Sequence, residues 1–168
     1  KVKVSVQPTT KVFTNKKKKL ITFMSRKHPF HSLLVINFLR KYLPKDWKIK
    51  DLKNMDENEV YEFLGRSKIF LAFSNLEGLA LPPIEAALCG NFVIGYTGEG
   101  AKDYWRKPLF TEVFSGDLRN FVKETMKKVS KDDLNYKKHL KQYNWLKNEF
   151  SQKNEISHIK NFLRQIND

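Results

Sequence analysis

The sequence predicts an α/β fold: a Rossmann-like, doubly wound parallel sheet followed by C-terminal helices. Three observations carry that prediction. Apolar runs of strand length at 20–24, 69–73 and 92–96 alternate with helical patterns. The second and third are apolar from end to end, as in strands covered on both faces. From Gly116 onward the strand patterns stop and the chain reads as helix. Alternating helices and buried strands are the signature of a parallel sheet, whose ligands bind outside the carboxyl ends of the strands.

The 168 residues are expected to form one domain: a leading segment 1–19, an alternating strand–helix core 20–115 and C-terminal helices 116–168. Lys16–Lys19 reads as a solvated loop before the first strand. Val35, Phe38, Leu39 and Tyr42 form the buried stripe of a first helix, which Pro44 stops. Residues 47–50 read as a short strand. Asp56, with Glu59 three later, is a capping box opening a helix that buries Val60, Phe63 and Leu64. After 69–73 comes a short helix around 84–88, and 110–113 adds a strand. Leu118, Phe121, Val122 and Val129 mark a later helix, as do Leu140, Tyr143, Leu146 and Phe150, then Ile156, Ile159, Leu163 and Ile166. These stripes are expected to be core packing.

Composition narrows the function classes. No apolar run approaches the roughly 20 residues of a membrane helix. The first residues resemble neither a natural start nor a signal peptide, so the chain is expected to be cut from a longer protein. A lone cysteine, Cys89, excludes an internal disulfide and suits a cytoplasmic setting. The net charge of +14 invites a polyanion, but only 6 of the 32 basic residues are Arg. Base-edge and phosphate-fork readers lean on Arg, so a nucleic-acid partner is not expected. Peripheral contact with an anionic inner membrane face is the alternative use of the lysines. Four scattered histidines show no metal-ligand pattern, and neither a Walker loop nor a nucleophile triad stands out.

The most informative stretch is Ser74–Trp105. Glu77 and Glu85, with seven residues between them, flank an apolar turn and Pro82-Pro83. The apolar run before them and the helix after make this a strand–turn–helix junction with an acid on each side. Unpaired backbone N–H groups at such a helix start suit an anion, and a nearby carboxylate reaches a ligand hydroxyl. Arg26 and Lys27, Glu77, and the turn Thr97-Gly98-Glu99-Gly100 each follow a predicted strand and therefore converge on one edge of the sheet.

Glu77-Gly78-Leu79-Ala80-Leu81-Pro82-Pro83-Ile84-Glu85-Ala86 resembles the EGFGLPPLEA motif of retaining glycosyltransferases of family four, which have the GT-B architecture. Cys89–Tyr96 is similar to the turn and strand that follow it there. Met24-Ser25-Arg26-Lys27-His28-Pro29 resembles the MPRK-x-P variant of the basic strand end in a bacterial subgroup, and Gly98–Tyr104 its glycine-rich loop. The similarity spans about residues 20–105 and covers only the second, nucleotide-sugar-binding half of GT-B.

The resemblance implies a role for each matched residue. Glu77 would lie against the donor sugar and Glu85 would hold the ribose diol, where a carboxylate accepts two charge-assisted hydrogen bonds. Arg26 would fork to the pyrophosphate as it leaves, with Lys27 beside it. The commoner pattern has a lysine five residues after the arginine; that position is His31, so either Lys27 or His31 supplies the second cation. Gly78 would make the turn, Leu79, Ala80 and Leu81 would offer backbone N–H groups, and Gly98 would shape the facing loop. Ala80 replaces the family's glycine, which weakens the case for close backbone approach to the sugar. No Asp-x-Asp is present, which agrees with metal-independent transfer. The expected activity is movement of a hexose-like sugar from a nucleoside diphosphate, a substrate and not a cofactor, to a glycan or lipid-linked acceptor held by a missing N-terminal half. Bacterial polysaccharide biosynthesis is the setting the resemblance implies. The alternative is a non-catalytic nucleotide-binding or interaction domain on the same fold.

Overall fold

The computed structural model describes residues 5–6, 17–131 and 134–167. In chain order the elements are β1 (Leu20–Phe23), α1 (Pro29–Tyr42), β2 (Lys48–Asp51), α2 (Glu57–Arg66), β3 (Ile69–Phe73), α3 (Leu81–Leu88), β4 (Phe92–Tyr96), β5 (Phe110–Glu112), α4 (Leu118–Val129), α5 (Leu140–Glu149) and α6 (Gln152–Asn167). Short 3-10 turns, Ser25–Lys27 and Tyr136–His139, precede α1 and α5. The five strands form one parallel sheet in the order β2-β1-β3-β4-β5. Every carboxyl end therefore lies on one edge, as the sequence predicts.

The central strands are buried along their whole length because helices cover both faces. The edge strand β2 is different: Lys48 and Lys50 are exposed, and charge on an edge discourages further pairing. The α2 capping box is complete. Asp56 accepts from the Glu59 N–H at 2.9 Å, and Glu59 accepts from the Asp56 N–H at 3.0 Å. Pro82 and Pro83 stand in the first turn of α3, where their missing donors cost nothing, so the helix begins at Leu81, three residues before the expected 84.

Beneath α2 and α3, buried Asn91 donates to the carbonyls of Leu64 at 2.8 Å and Ala86 at 2.9 Å, and it pairs with Ser67. A buried amide stays satisfied only if both helix ends hold position, so this network fixes α3 relative to α2.

Four expectations are corrected. The α1 stripe is turned: Ser32, Val35, Ile36 and Leu39 are buried, while Phe38 and Tyr42 are exposed. In α2 the fully buried positions are Tyr61, Leu64 and Gly65, with Val60 and Phe63 only partly covered. Ile156, Ile159, Leu163 and Ile166 on α6 are exposed and not core. Lys16 lies outside the described residues, but Lys17 is not solvated. Its ammonium donates to the carbonyls of Leu64 (3.0 Å) and Cys89, and burial pushes its pKa down to about 7. Conversely, burial pushes the Cys89 thiol up to about 12, so it stays protonated and unreactive.

Candidate functional site

The carboxyl edge brings three loops together. After β1 the chain turns through Ser25–Lys27 into α1, held by the Asp51 carboxylate, which accepts from the Ser25 N–H at 3.2 Å. After β3 it turns through Asn75–Ala80 into α3. After β4 it turns through Thr97–Gly100. The last two loops bond directly: the Glu77 N–H donates to the Gly98 carbonyl at 2.9 Å, and the Gly100 N–H to the Glu77 carbonyl at 3.1 Å.

Two glycines permit that contact. Gly98 has φ +61, a left-handed conformation in which a side chain is strained, and an added Cβ would lie 2.3 Å from the Asn75 carbonyl oxygen. A Cβ on Gly100 would stand 2.0 Å from the Gly78 carbonyl oxygen. Gly78 itself is open, with nothing near its missing side chain, so it shapes the turn without being packed. Tyr104, fully buried, donates its hydroxyl to the Ala80 carbonyl at 2.9 Å and ties the same loop from below.

These constraints set Glu77 beside Lys27, with Nζ to Oε1 at 3.3 Å. The pair walls a small pocket whose floor is the carboxyl end of β3 and whose sides include Met24, Ser74, Ala80 and Pro82. Arg26 lies on the same turn as Lys27, exposed. Ala80, almost fully buried, forms part of the pocket wall. The backbone N–H groups of Leu79 and Leu81 flank it at the start of α3, whose N-cap residue, Ala80, has no capping side chain.

Glu85 lies one turn into α3, half-buried against α2. The Tyr61 hydroxyl donates to its Oε1 at 3.4 Å. Burial pushes the Glu85 pKa above the ordinary carboxylate value; the Tyr61 hydrogen bond opposes this, and the nearby Glu57 adds to it. The same burial, with Glu85 alongside, raises Tyr61 further and keeps it a donor. Sequence reasoning missed Tyr61, which lies outside the face of Val60, Phe63 and Leu64 assigned to that helix and is buried. Its hydroxyl, needing a partner once buried, was the available signal.

His31 does not join Lys27 at Glu77. Its ring stacks on His28 with centroids 3.7 Å apart, and its Nδ1 lies 3.2 Å from the Tyr96 hydroxyl. Burial and the neighbouring His28 lower its pKa. Of the two candidates for the second cation, Lys27 is therefore the one in contact with the glutamate, while His31 is engaged at the end of β4.

No family model matches the chain, and no curated protein matches it. Among solved structures it is similar to the GtfA/B complex, with a TM-score of 0.66 at 13% identity. The match covers 91% of this chain but 37% of that one, so the chain spans little more than a third of the structure it resembles. Similarity at that identity is similarity of fold alone: an open parallel Rossmann-like sheet with flanking helices. Among the described residues no helix is long and apolar enough to cross a membrane.

Proposed function

We infer that this chain is the donor-binding domain of a retaining, metal-independent glycosyltransferase, moving a sugar from a nucleoside diphosphate to a glycan or lipid-linked acceptor. The observation that carries the inference is the carboxyl-edge constellation. Glu77 is locked by backbone bonds to the facing loop and paired with Lys27, while Glu85 waits one turn into the next helix. Nucleotide and sugar need those two acids at different depths, and the spacing of the motif supplies them.

In this reading Glu85 accepts the ribose hydroxyls. The pyrophosphate lies over the start of α3, meeting the N–H groups of Leu79, Ala80 and Leu81. Arg26 and Lys27 stabilise the charge that develops as the nucleoside diphosphate departs. Lys27 then serves two partners, Glu77 in the empty site and phosphate in the loaded one, so donor binding frees Glu77 to meet the sugar. Gly98 holds the facing loop in place. The acceptor, its hydroxyl and the covering surface belong to a second half of the protein.

Calorimetry with UDP, GDP and ADP, with and without chelator, tests this. One of the three binds weakly to this domain alone, and chelator leaves the affinity unchanged. Absence of binding at about 1 mM, where the free energy would be only some −4 kcal/mol, sinks the reading. So does binding that needs a divalent metal. Binding of a nucleotide by a full-length protein that transfers no sugar would favour a non-catalytic role.

A further inference from the structure

A second charged feature lies at the opposite end of the sheet. Arg106, Lys107 and Pro108 immediately precede β5, so they sit at the amino edge, whereas Lys27, Glu77 and Gly98 follow carboxyl ends. Together with the start of α5 they line an open groove of about 500 Å³. Among the described residues its charged walls are Arg106, Lys107, Lys138 and Lys141, with Trp145 and His139 beside them, and none of those residues brings a carboxylate to its lining.

The groove is built and not merely a place where lysines meet. The Gln142 side chain accepts from the Leu109 N–H at 3.1 Å and donates to the Arg106 carbonyl, which fastens the 106–109 segment to α5. The Arg106 guanidinium lies over the Trp145 ring, 4.1 Å from its centroid. That stacking uses the face of the guanidinium and leaves its N–H edge for an acceptor.

We propose that this groove is a second anion site, for a phosphate-bearing ligand, independent of the donor-site reading. The stacked arginine presents a fork suited to a tetrahedral oxyanion, and Lys107 and Lys141 add point charges around it. The volume falls in the range of small-molecule sites and exceeds what bare phosphate needs, so the ligand carries an organic group beyond its phosphate. Two sources share this chemistry, a soluble phosphorylated compound and a phospholipid headgroup.

The test uses inorganic pyrophosphate as probe, read by NMR at the Trp145 indole N–H and the Arg106 Nε–H. Both signals shift on titration, with a dissociation constant of about 1 mM or tighter. The double variant Arg106→Gln/Lys141→Gln weakens this about tenfold or more, as loss of charge-assisted bonds predicts. Lys45→Gln/Lys123→Gln, which removes the same charge from exposed positions elsewhere, leaves it unchanged. Equal weakening in both variants would mean diffuse attraction and overturn the site. So would shifts confined to Leu79–Leu81 at the other edge. Unchanged dispersion of the remaining NMR signals shows that the variant is folded. Flotation with phosphatidylglycerol vesicles, abolished by the groove variant but not by the control, assigns the headgroup. Pyrophosphate binding without flotation assigns a soluble ligand.

Discussion

Glu77 and Glu85 come from one short motif, yet the protein holds them by opposite means. Glu77 stands on a loop, its main chain bonded to Gly98 and Gly100, its carboxylate beside a half-exposed lysine. Glu85 stands on a helix that fixes its backbone, and its carboxylate is bound by burial and the Tyr61 hydroxyl. The difference teaches what each can tolerate. Position at the first depends on loop geometry; charge at the second depends on desolvation and pH.

The largest expected effect breaks the first region alone. In Gly100→Ala the new methyl meets the backbone oxygens of Gly78 and Glu77, at 2.0 and 2.4 Å, and backbone cannot step aside cheaply. Denaturant unfolding should show a loss of about 3 kcal/mol, with nucleotide binding lost alongside. A variant as stable as the native chain would mean that the two loops are not locked together.

Next come the acids themselves. Glu85→Ala should weaken nucleoside diphosphate binding by about 1.5–3 kcal/mol, the worth of a hydrogen bond to a charged group. If the full-length protein transfers sugar as proposed, Glu77→Ala should lower kcat more than it weakens donor binding. Kinetics close to native in both would remove the distinction.

A smaller effect sharpens the second region. Tyr61→Phe should weaken nucleotide binding by roughly 0.5–1.5 kcal/mol. It should also move the pH profile upward, because the bond that favours ionised Glu85 is gone. The sign follows from burial. If, as proposed, ionised Glu85 accepts hydrogen bonds from the ribose hydroxyls, binding should weaken as pH falls through its raised pKa, at a pH above the ordinary carboxylate value. Stability runs the other way: the contribution of Glu85 is fully present below the ordinary value and is lost as pH rises through the raised one. Glu85→Gln should therefore stabilise the fold at neutral pH, with the gain disappearing in acid. A pH-independent difference would point to packing alone.

How much of this was legible in the sequence depends on the range of the contact. The buried runs of β3 and β4 and the Asp56–Glu59 box are local patterns, and the structure has them where the sequence puts them. The edge on which Arg26, Lys27, Glu77 and Gly98 meet follows from parallel topology, so it was legible too. Tyr61 was not, since its meaning comes from Glu85, which lies on another helix. Nothing in a run of four lysines distinguishes Lys17, whose ammonium is captured by carbonyls 47 and 72 residues away. On α6 the apolar period was real, but periodicity marks a face without saying what covers it.

The most direct test of the donor-site account compares one nucleoside diphosphate with its 2′,3′-dideoxy analogue, in the native chain and in Glu85→Ala. If Glu85 holds the ribose diol, the native chain prefers the ribose form by about tenfold or more, and the alanine variant binds both alike. Native protein that does not discriminate would contradict the account. So would an alanine variant that discriminates as strongly as the native chain.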